Sequence, residues 1–147
     1  MGLKSKLAGL FILILAIISS CRKTPTDSSD ARLFTLLDEK STNILFENKV
    51  EYTEEFNTYT YRNFYNGAGV GLGDINNDGL TDIYFCSNQA GNKLYLNKGG
   101  FRFEDITDKA GVACHGSWST GVTITDINGD GREDIYVCTS VRPGGRE

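Results

Sequence analysis

The chain contains an internal repeat, and this feature limits the possible folds more than any other. Residues 69–88, GVGLGDINNDGLTDIYFCSN, align with residues 121–140, GVTITDINGDGREDIYVCTS, at a fixed offset of 52, and 11 of the 20 aligned positions are identical. A period of this length is typical of a supersecondary unit that stacks against copies of itself. We therefore expect two units of one structure, each of which needs a neighbour to bury its apolar faces.

Each copy carries one acidic loop with the spacing of a calcium site. Oxygen side chains at loop positions one, three, five and nine, with a backbone carbonyl at seven, can surround Ca²⁺ at about 2.3–2.6 Å. Glycine at position six permits the sharp turn. Three carboxylates within nine residues repel one another unless a cation lies among them. The candidate ligands are Asp74, Asn76, Asp78, the carbonyl of Leu80 and Asp82 in the first loop, and Asp126, Asn128, Asp130, the carbonyl of Arg132 and Asp134 in the second.

Other calcium loops share part of this pattern, and the flanking residues distinguish them. An EF-hand requires glutamate at position twelve, where this chain has Phe85 and Val137. A dockerin-type loop is followed by a helix, whereas residues 83–86 and 135–138 are β-branched and aromatic runs typical of strands. The pattern favours strand, loop and strand. A metal-free turn rich in Asp, Asn and Gly is the remaining alternative.

The motif Gly-Val-x-x-x-Asp-x-Asn-x-Asp-Gly-x-x-Asp-Ile-Tyr resembles the FG-GAP/VCBS repeat, one blade of the β-propellers of integrin α-subunits and many bacterial surface proteins. Residues 63–67, 92–97 and 118–122 also resemble large VCBS-repeat lipoproteins of Bacteroidota that are related to the cartilage acidic protein family. The resemblance covers about residues 33–140. It implies an all-β fold of propeller blades and bound calcium, and it leaves the ligand of the propeller open.

The amino terminus has the features of a lipoprotein signal peptide, residues 1–20. Lys4 and Lys6 precede an apolar stretch, residues 7–18, that is too short to span the ~30 Å hydrocarbon core of a membrane. Ile18-Ser19-Ser20-Cys21 resembles a lipobox, which implies lipidation at Cys21; a secretory signal with an incidental cysteine is the alternative. By resemblance to sorting rules, Arg22 favours the outer membrane, on its periplasmic or its exposed side.

The mature chain divides into a tether, a lead-in segment and the two repeats. Residues 21–30 are polar and predict a flexible tether. The lead-in, residues 31–66, is expected to pack on the first blade through a short helical pattern over 31–40, a strand at 44–46 and aromatic residues at 52–65. Those aromatic residues, and Trp118, are expected to fill a core; a carbohydrate or partner platform is the alternative.

The first repeat, residues 67–118, predicts four strands and a helical turn; the second, residues 119–147, is truncated. The predicted elements are strands at 70–72, 83–86, 94–96 and 101–103, and a turn at 105–111. A propeller needs about four to eight blades to close. We therefore expect an incomplete propeller: the first piece of a longer protein, a chain that assembles with others, or a small open sheet. The isolated chain is expected to be marginally stable and to associate through the open face of its second blade.

Charge and cysteine content exclude several functions. The chain has 15 basic and 19 acidic residues, a net charge of −4, so it lacks the basic face that nucleic acid requires. Cys86 and Cys138 lie at equivalent positions of the two repeats, where sheets are about 10 Å apart, so we expect buried free thiols rather than a disulfide. Cys114 and His115 are adjacent, but neighbours in sequence seldom form a catalytic pair.

These features predict a binding module rather than an enzyme. The chain has one histidine and no nucleophile elbow, phosphate loop or zinc spacing, so no catalytic residues are assigned. We expect a calcium-binding β-propeller repeat module of a membrane-anchored surface lipoprotein, with a protein or glycan ligand. The alternatives are a non-catalytic part of a cell-surface polysaccharide-degrading enzyme, whose active site lies elsewhere, and a structural remnant without activity.

Overall fold

The structure is a computed structural model that describes residues 33–140. The predicted signal peptide, Cys21, the predicted tether and residues 141–147 lie outside the described residues. The chain separates into two units, and residues 33–36 belong to the first, Met1–Leu36, where Leu33, Phe34 and Leu36 are exposed. The second unit begins at Leu37 and contains both repeats.

The first repeat forms one antiparallel sheet whose four strands follow the order of the sequence. The strands are β1 (Val70–Gly73), β2 (Asp82–Phe85), β3 (Lys93–Asn97) and β4 (Phe103–Asp105). This four-stranded blade confirms the sequence prediction. The fourth strand begins two residues later than expected, because Gly99, Gly100 and Phe101 have positive φ and form the turn.

Two short helices flank the first sheet. The helix α1 (Glu39–Thr42) begins where the Asp38 carboxylate accepts the Ser41 N–H at 2.7 Å and ends at Asn43, whose φ is 63°. Within the described residues this helix replaces the longer pattern predicted over 31–40. The helix α2 (Thr107–Ala110) ends at left-handed Gly111, as the sequence predicts.

The second repeat contributes two paired strands within the described residues. They are β5 (Trp118–Thr125) and β6 (Asp134–Ser140), which are antiparallel with an irregularity between Ser119 and Gly121. The described residues thus form one complete blade and the first half of another. This is the predicted all-β fold of propeller-like blades, and the described strands close no barrel.

The predicted strand at 44–46 does not pair into a sheet. The Leu45 N–H donates to the Tyr95 hydroxyl at 3.3 Å, and the Phe46 ring stacks on Phe85 with centroids 4.7 Å apart. Side-chain contacts with the first blade therefore take the place of a backbone ladder. Leu45 itself is exposed.

A polar cluster joins the lead-in to both repeats. The Asn48 amide oxygen accepts the Asn88 N–H at 3.0 Å, and the Asn88 amide donates to the carbonyls of Gly67 and Ser119, both at 3.0 Å. Asn88 is only 2 % exposed. Because buried amides are costly when they lack partners, these bonds fix the relative positions of the three segments.

Gly69, which precedes β1, and two glycines within β1 allow the two sheets to approach closely. Gly69, Gly71 and Gly73 all face β5, and a Cβ on Gly69 would lie 2.8 Å from the Gly121 Cα and 2.9 Å from the Val122 nitrogen. A Cβ on Gly71 would lie 3.1 Å from the Ile124 side chain. The alternation of glycine with apolar residues in this segment therefore corresponds to a close approach of the two backbones.

The first apolar core lies between the two sheets. Tyr84, Cys86 and Leu94 are at most 1 % exposed, because the second sheet packs over them. The covering side chains of the second sheet are Val122, Ile124, Ile135 and Val137, and the first repeat adds Ala68, Ile75, Ile106 and Val112. The repeat counterparts Tyr136 and Cys138 are both exposed, Tyr136 by 57 %. We call the surface formed by Tyr136 and Cys138 the outer face of the second repeat.

The second core consists of aromatic residues from the lead-in and β5. Phe56, Phe64 and Trp118 form a buried cluster, and Tyr61 packs against it. The prediction that the aromatic residues at 52–65 and Trp118 fill a core is confirmed for Phe56, Phe64 and Trp118, of which Trp118 is only 2 % exposed. Tyr52 and Tyr65, by contrast, are 57 % and 68 % exposed. Tyr59 is 90 % exposed and contributes nothing to this core.

Candidate metal loops

Both acidic loops connect the first two strands of their repeat through the same backbone path. Each has two left-handed residues, at positions four and six: Asn77 (φ 58°) and Gly79 (φ 82°) in the first loop, and Gly129 (φ 77°) and Gly131 (φ 83°) in the second. Asparagine and glycine are the residues that adopt this conformation most readily. The sequence analysis did not predict the left-handed backbone at position four, although the residues aligned there, Asn77 and Gly129, are of the types that adopt it.

Backbone N–H groups turn the first three candidate side chains of each loop inward. The Asp74 carboxylate accepts the N–H groups of Asp78 at 3.0 Å and Gly79 at 2.8 Å. The Asn76 amide oxygen accepts the Asp78 N–H at 3.1 Å, and the Asp78 carboxylate accepts the Leu80 N–H at 2.8 Å. These bonds hold the side-chain oxygens of positions one, three and five within a single turn.

The second loop repeats these four hydrogen bonds and adds one, from the Gly129 N–H to the Asp126 carboxylate at 2.7 Å. Asp126 accepts from Asp130 at 3.1 Å and from Gly131 at 2.8 Å, and Asn128 accepts from Asp130 at 2.9 Å. Asp130 accepts from Arg132 at 2.9 Å. The N–H of Gly131, followed by those of Gly129, Asp130 and Asn128, lowers the pKa of the Asp126 carboxyl. The two loops are therefore the same local structure, as the repeat predicts.

The aspartate at position nine anchors each loop to its sheet. Asp82 is fully buried, and its two carboxylate oxygens accept the N–H groups of Ile75 at 3.0 Å and Asn97 at 2.8 Å. Burial raises the pKa of Asp82, the two N–H groups oppose that rise, and the charges of Asp78 and Asp74 add to it. Asp134 makes the equivalent bond to the Ile127 N–H at 3.0 Å in a half-buried position.

The donor atoms of both loops fit a hard cation, although the carboxylates are not gathered around one point. Every candidate ligand supplies oxygen, and a carboxylate oxygen that accepts one N–H retains a lone pair for a metal. Within residues 33–140, no three side chains among His, Cys, Asp and Glu lie close enough together to hold a metal ion. Leu80 and Arg132 occupy position seven on the exposed side of their loops. Calcium binding therefore stays a prediction.

One contact at the first loop comes from the second repeat. The Glu133 carboxylate accepts the N–H of Asp74, the first residue of the first loop. A Cβ on Gly73 would collide with this carboxylate, so the glycine makes room for it. The repeat offset aligns Glu133 with Thr81, and for this reason the sequence pattern gave no signal for its role.

The three described cysteines are free thiols, as predicted for Cys86 and Cys138. Burial raises the pKa of the Cys86 thiol to about 11. Cys138 is exposed rather than buried, because no described residue covers the outer face of the second repeat. The Cys114 sulfur lies 3.8 Å from the Tyr84 hydroxyl, while the His115 ring lies against Gly91.

Among residues 33–140, no helix has the length and apolar character to cross a bilayer.

The fold and the loops together define a protein of β-propeller-like blades with one acidic loop per repeat, and comparison with known proteins agrees. Residues 74–137 match the family model described as "FG-GAP-like repeat". Over 70 residues the chain is 41 % identical to cartilage acidic protein 1 of Xenopus tropicalis and 40 % identical to that of Homo sapiens. The aligned part is 47 % of this chain, but only 11 % and 10 % of those relatives. These matches support an FG-GAP repeat protein.

Proposed function

We propose that this chain is the calcium-binding β-propeller part of a membrane-anchored lipoprotein, and that it acts in binding or adhesion rather than catalysis. The observation that carries the proposal is the set of inward hydrogen bonds that two loops 52 residues apart have in common. Two turns without a common role would not need the same side-chain oxygens to accept the same backbone N–H groups. Binding of the same kind of ligand at both loops is the simplest explanation for this shared structure.

The metal would have a structural role. The first ion would be held by the five candidate ligands of the first loop and the second ion by those of the second loop. Bound Ca²⁺ would supply positive charge that offsets the repulsion among the loop carboxylates. Asp82 and Asp134 would then join each ion to the sheet, because both also fix the backbone at loop position two. The module would bind a protein or glycan ligand, together with further blades from the same polypeptide or from other chains.

Calcium is expected to raise the melting temperature of the full chain, measured by calorimetry in detergent. At a free concentration ten times the dissociation constant, each site should contribute about 1.4 kcal/mol to the free energy of unfolding. Asp78→Asn and Asp130→Asn should each remove one site, whereas Asp108→Asn, which changes an exposed carboxylate outside both loops, should remove none. Equal melting temperatures in calcium and in chelator would contradict the proposal.

Membrane anchoring rests on the resemblance of residues 18–21 to a lipobox. We place the protein at the outer membrane, facing the periplasm or the exterior. Cys21→Ser is expected to abolish labelling by a radioactive fatty acid and to move the chain from the membrane fraction to the soluble fraction. Cys114→Ser, which removes another cysteine, should change neither. Unchanged labelling of Cys21→Ser would exclude lipidation at this residue.

A further inference from the structure

Glu133 is the one carboxylate of the second repeat that the described contacts place on the first loop. It accepts a hydrogen bond from the backbone N–H of Asp74, while the Asp74 side chain accepts the N–H groups of Asp78 and Gly79. The position of the Asp74 backbone therefore determines where the first candidate ligand of the first loop lies. A hydrogen bond to a charged acceptor is stronger than one between neutral groups.

The position of Glu133 is in turn set by the second loop. Its two neighbours are both tied to that loop, since the Arg132 N–H donates to the Asp130 carboxylate at 2.9 Å and the Asp134 carboxylate accepts the Ile127 N–H at 3.0 Å. Arg132 and Asp134 are also candidate ligands of the second loop. Any change that orders the second loop therefore orders the backbone on both sides of Glu133.

Glu133 also changes the charge at the first loop. Its carboxylate lies at the end of a loop that already carries Asp74, Asp78 and Asp82. A fourth negative charge close to these groups increases their mutual repulsion, which a cation relieves. The residue thus favours cation binding in two ways, by fixing the backbone and by adding charge.

We propose that Glu133 is a positioning residue through which the second repeat sets the geometry and the cation affinity of the first loop. The part that concerns affinity rests on the proposed calcium function. The contact has no counterpart made by the first repeat, because the position equivalent to Glu133 is Thr81, which has no carboxylate. The two loops are therefore unequal, although their own hydrogen bonds match.

The first test measures geometry without metal. In calcium-free full chain, the exchange of the Asp74 amide proton, followed by NMR, should be faster by at least about tenfold in Glu133→Ala, because the N–H loses a charged acceptor. Glu133→Gln, which keeps an oxygen but not the charge, should give a smaller increase. The matched control is Glu104→Ala, whose carboxylate forms only an exposed ion pair with Lys98 at 3.4 Å. Unchanged exchange at β2 and β3 amides verifies the fold of each variant.

The second test measures affinity by calorimetric titration with Ca²⁺ alone. Glu133→Ala should weaken one of two sites about tenfold and leave the other unchanged, whereas Glu104→Ala should alter neither. Unchanged exchange at Asp74, or faster exchange with two unchanged sites, would overturn the proposal. Absence of calcium binding to the wild-type chain would overturn the proposed function and the affinity part, and the exchange test would still decide whether Glu133 positions the loop.

Discussion

Asp82→Ala is expected to lower the free energy of unfolding by about 2–6 kcal/mol when measured in chelator. The substitution leaves the backbone N–H groups of Ile75 and Asn97 without their acceptors, at a position with no exposed surface. Each buried donor that loses its partner costs about 1–3 kcal/mol. Chemical denaturation in excess chelator isolates this effect from any loss of metal.

Asp134→Ala is the matched control for Asp82→Ala, because the repeat places both at loop position nine. The Asp134 carboxylate accepts the Ile127 N–H in a half-buried position, where water can replace it, so we expect a loss of about 1 kcal/mol. Equal losses in the two variants would show that Asp82 does not anchor the loop as described.

The stability of the fold should also depend on pH through Asp82. Because the pKa of Asp82 is raised in the folded state, this residue should stabilise the fold more below pH 3.8 than at pH 7. The extra stability is lost as the pH rises through the folded-state pKa.

Gly69→Ala is expected to cost about 3 kcal/mol, near the upper end of the usual range for an overfilled core. The added methyl would lie 2.8 Å from the Gly121 Cα and 2.9 Å from the Val122 nitrogen. Both are backbone atoms, so the collision cannot be relieved by rotating a side chain, and the two sheets must separate. The free energy of unfolding from urea titration measures the loss.

Gly121→Ala tests whether this cost comes from the contact between sheets or from the loss of a glycine. Gly121 is the repeat counterpart of Gly69, and its added Cβ would meet only the Cys138 Cβ, at an ordinary 3.8 Å. We therefore expect a change within about 0.5 kcal/mol, as for a surface substitution. A similar loss in both variants would contradict the close approach of β1 to β5.

The repeat made much of this fold predictable. The offset of 52 residues, the turn glycine at position six of each loop and the β-branched and aromatic runs that follow the loops predicted the blade and its strands. The fourth strand was placed two residues early, because nothing in the sequence shows that Phe101 adopts positive φ. The segment 44–46 has the composition of a strand, but its partner is a tyrosine hydroxyl that is 50 positions away in sequence.

The loops were predicted less completely than the sheets. Their spacing identified the oxygen side chains, but a spacing pattern contains no information about contacts between repeats. Glu133 belongs to such a contact, and its aligned partner is a threonine. The different exposure of Cys86 and Cys138 also depends on contacts between repeats, since similar local sequences are buried or exposed according to what packs on them.

The burial of Tyr84 by the second repeat also has a consequence for synthesis on the ribosome. The cluster of Tyr84, Cys86 and Leu94 is covered in part by side chains of the second repeat, the last of which, Val137, lies 53 residues beyond Tyr84. At about 5–20 residues per second, Val137 is made roughly 3–11 s after Tyr84. During this interval the face of the first blade that carries Tyr84 and Cys86 is open to other nascent chains and to chaperones. A pause in translation before the covering residues have left the ribosome would therefore lengthen the period of greatest aggregation risk, whereas a later pause would not.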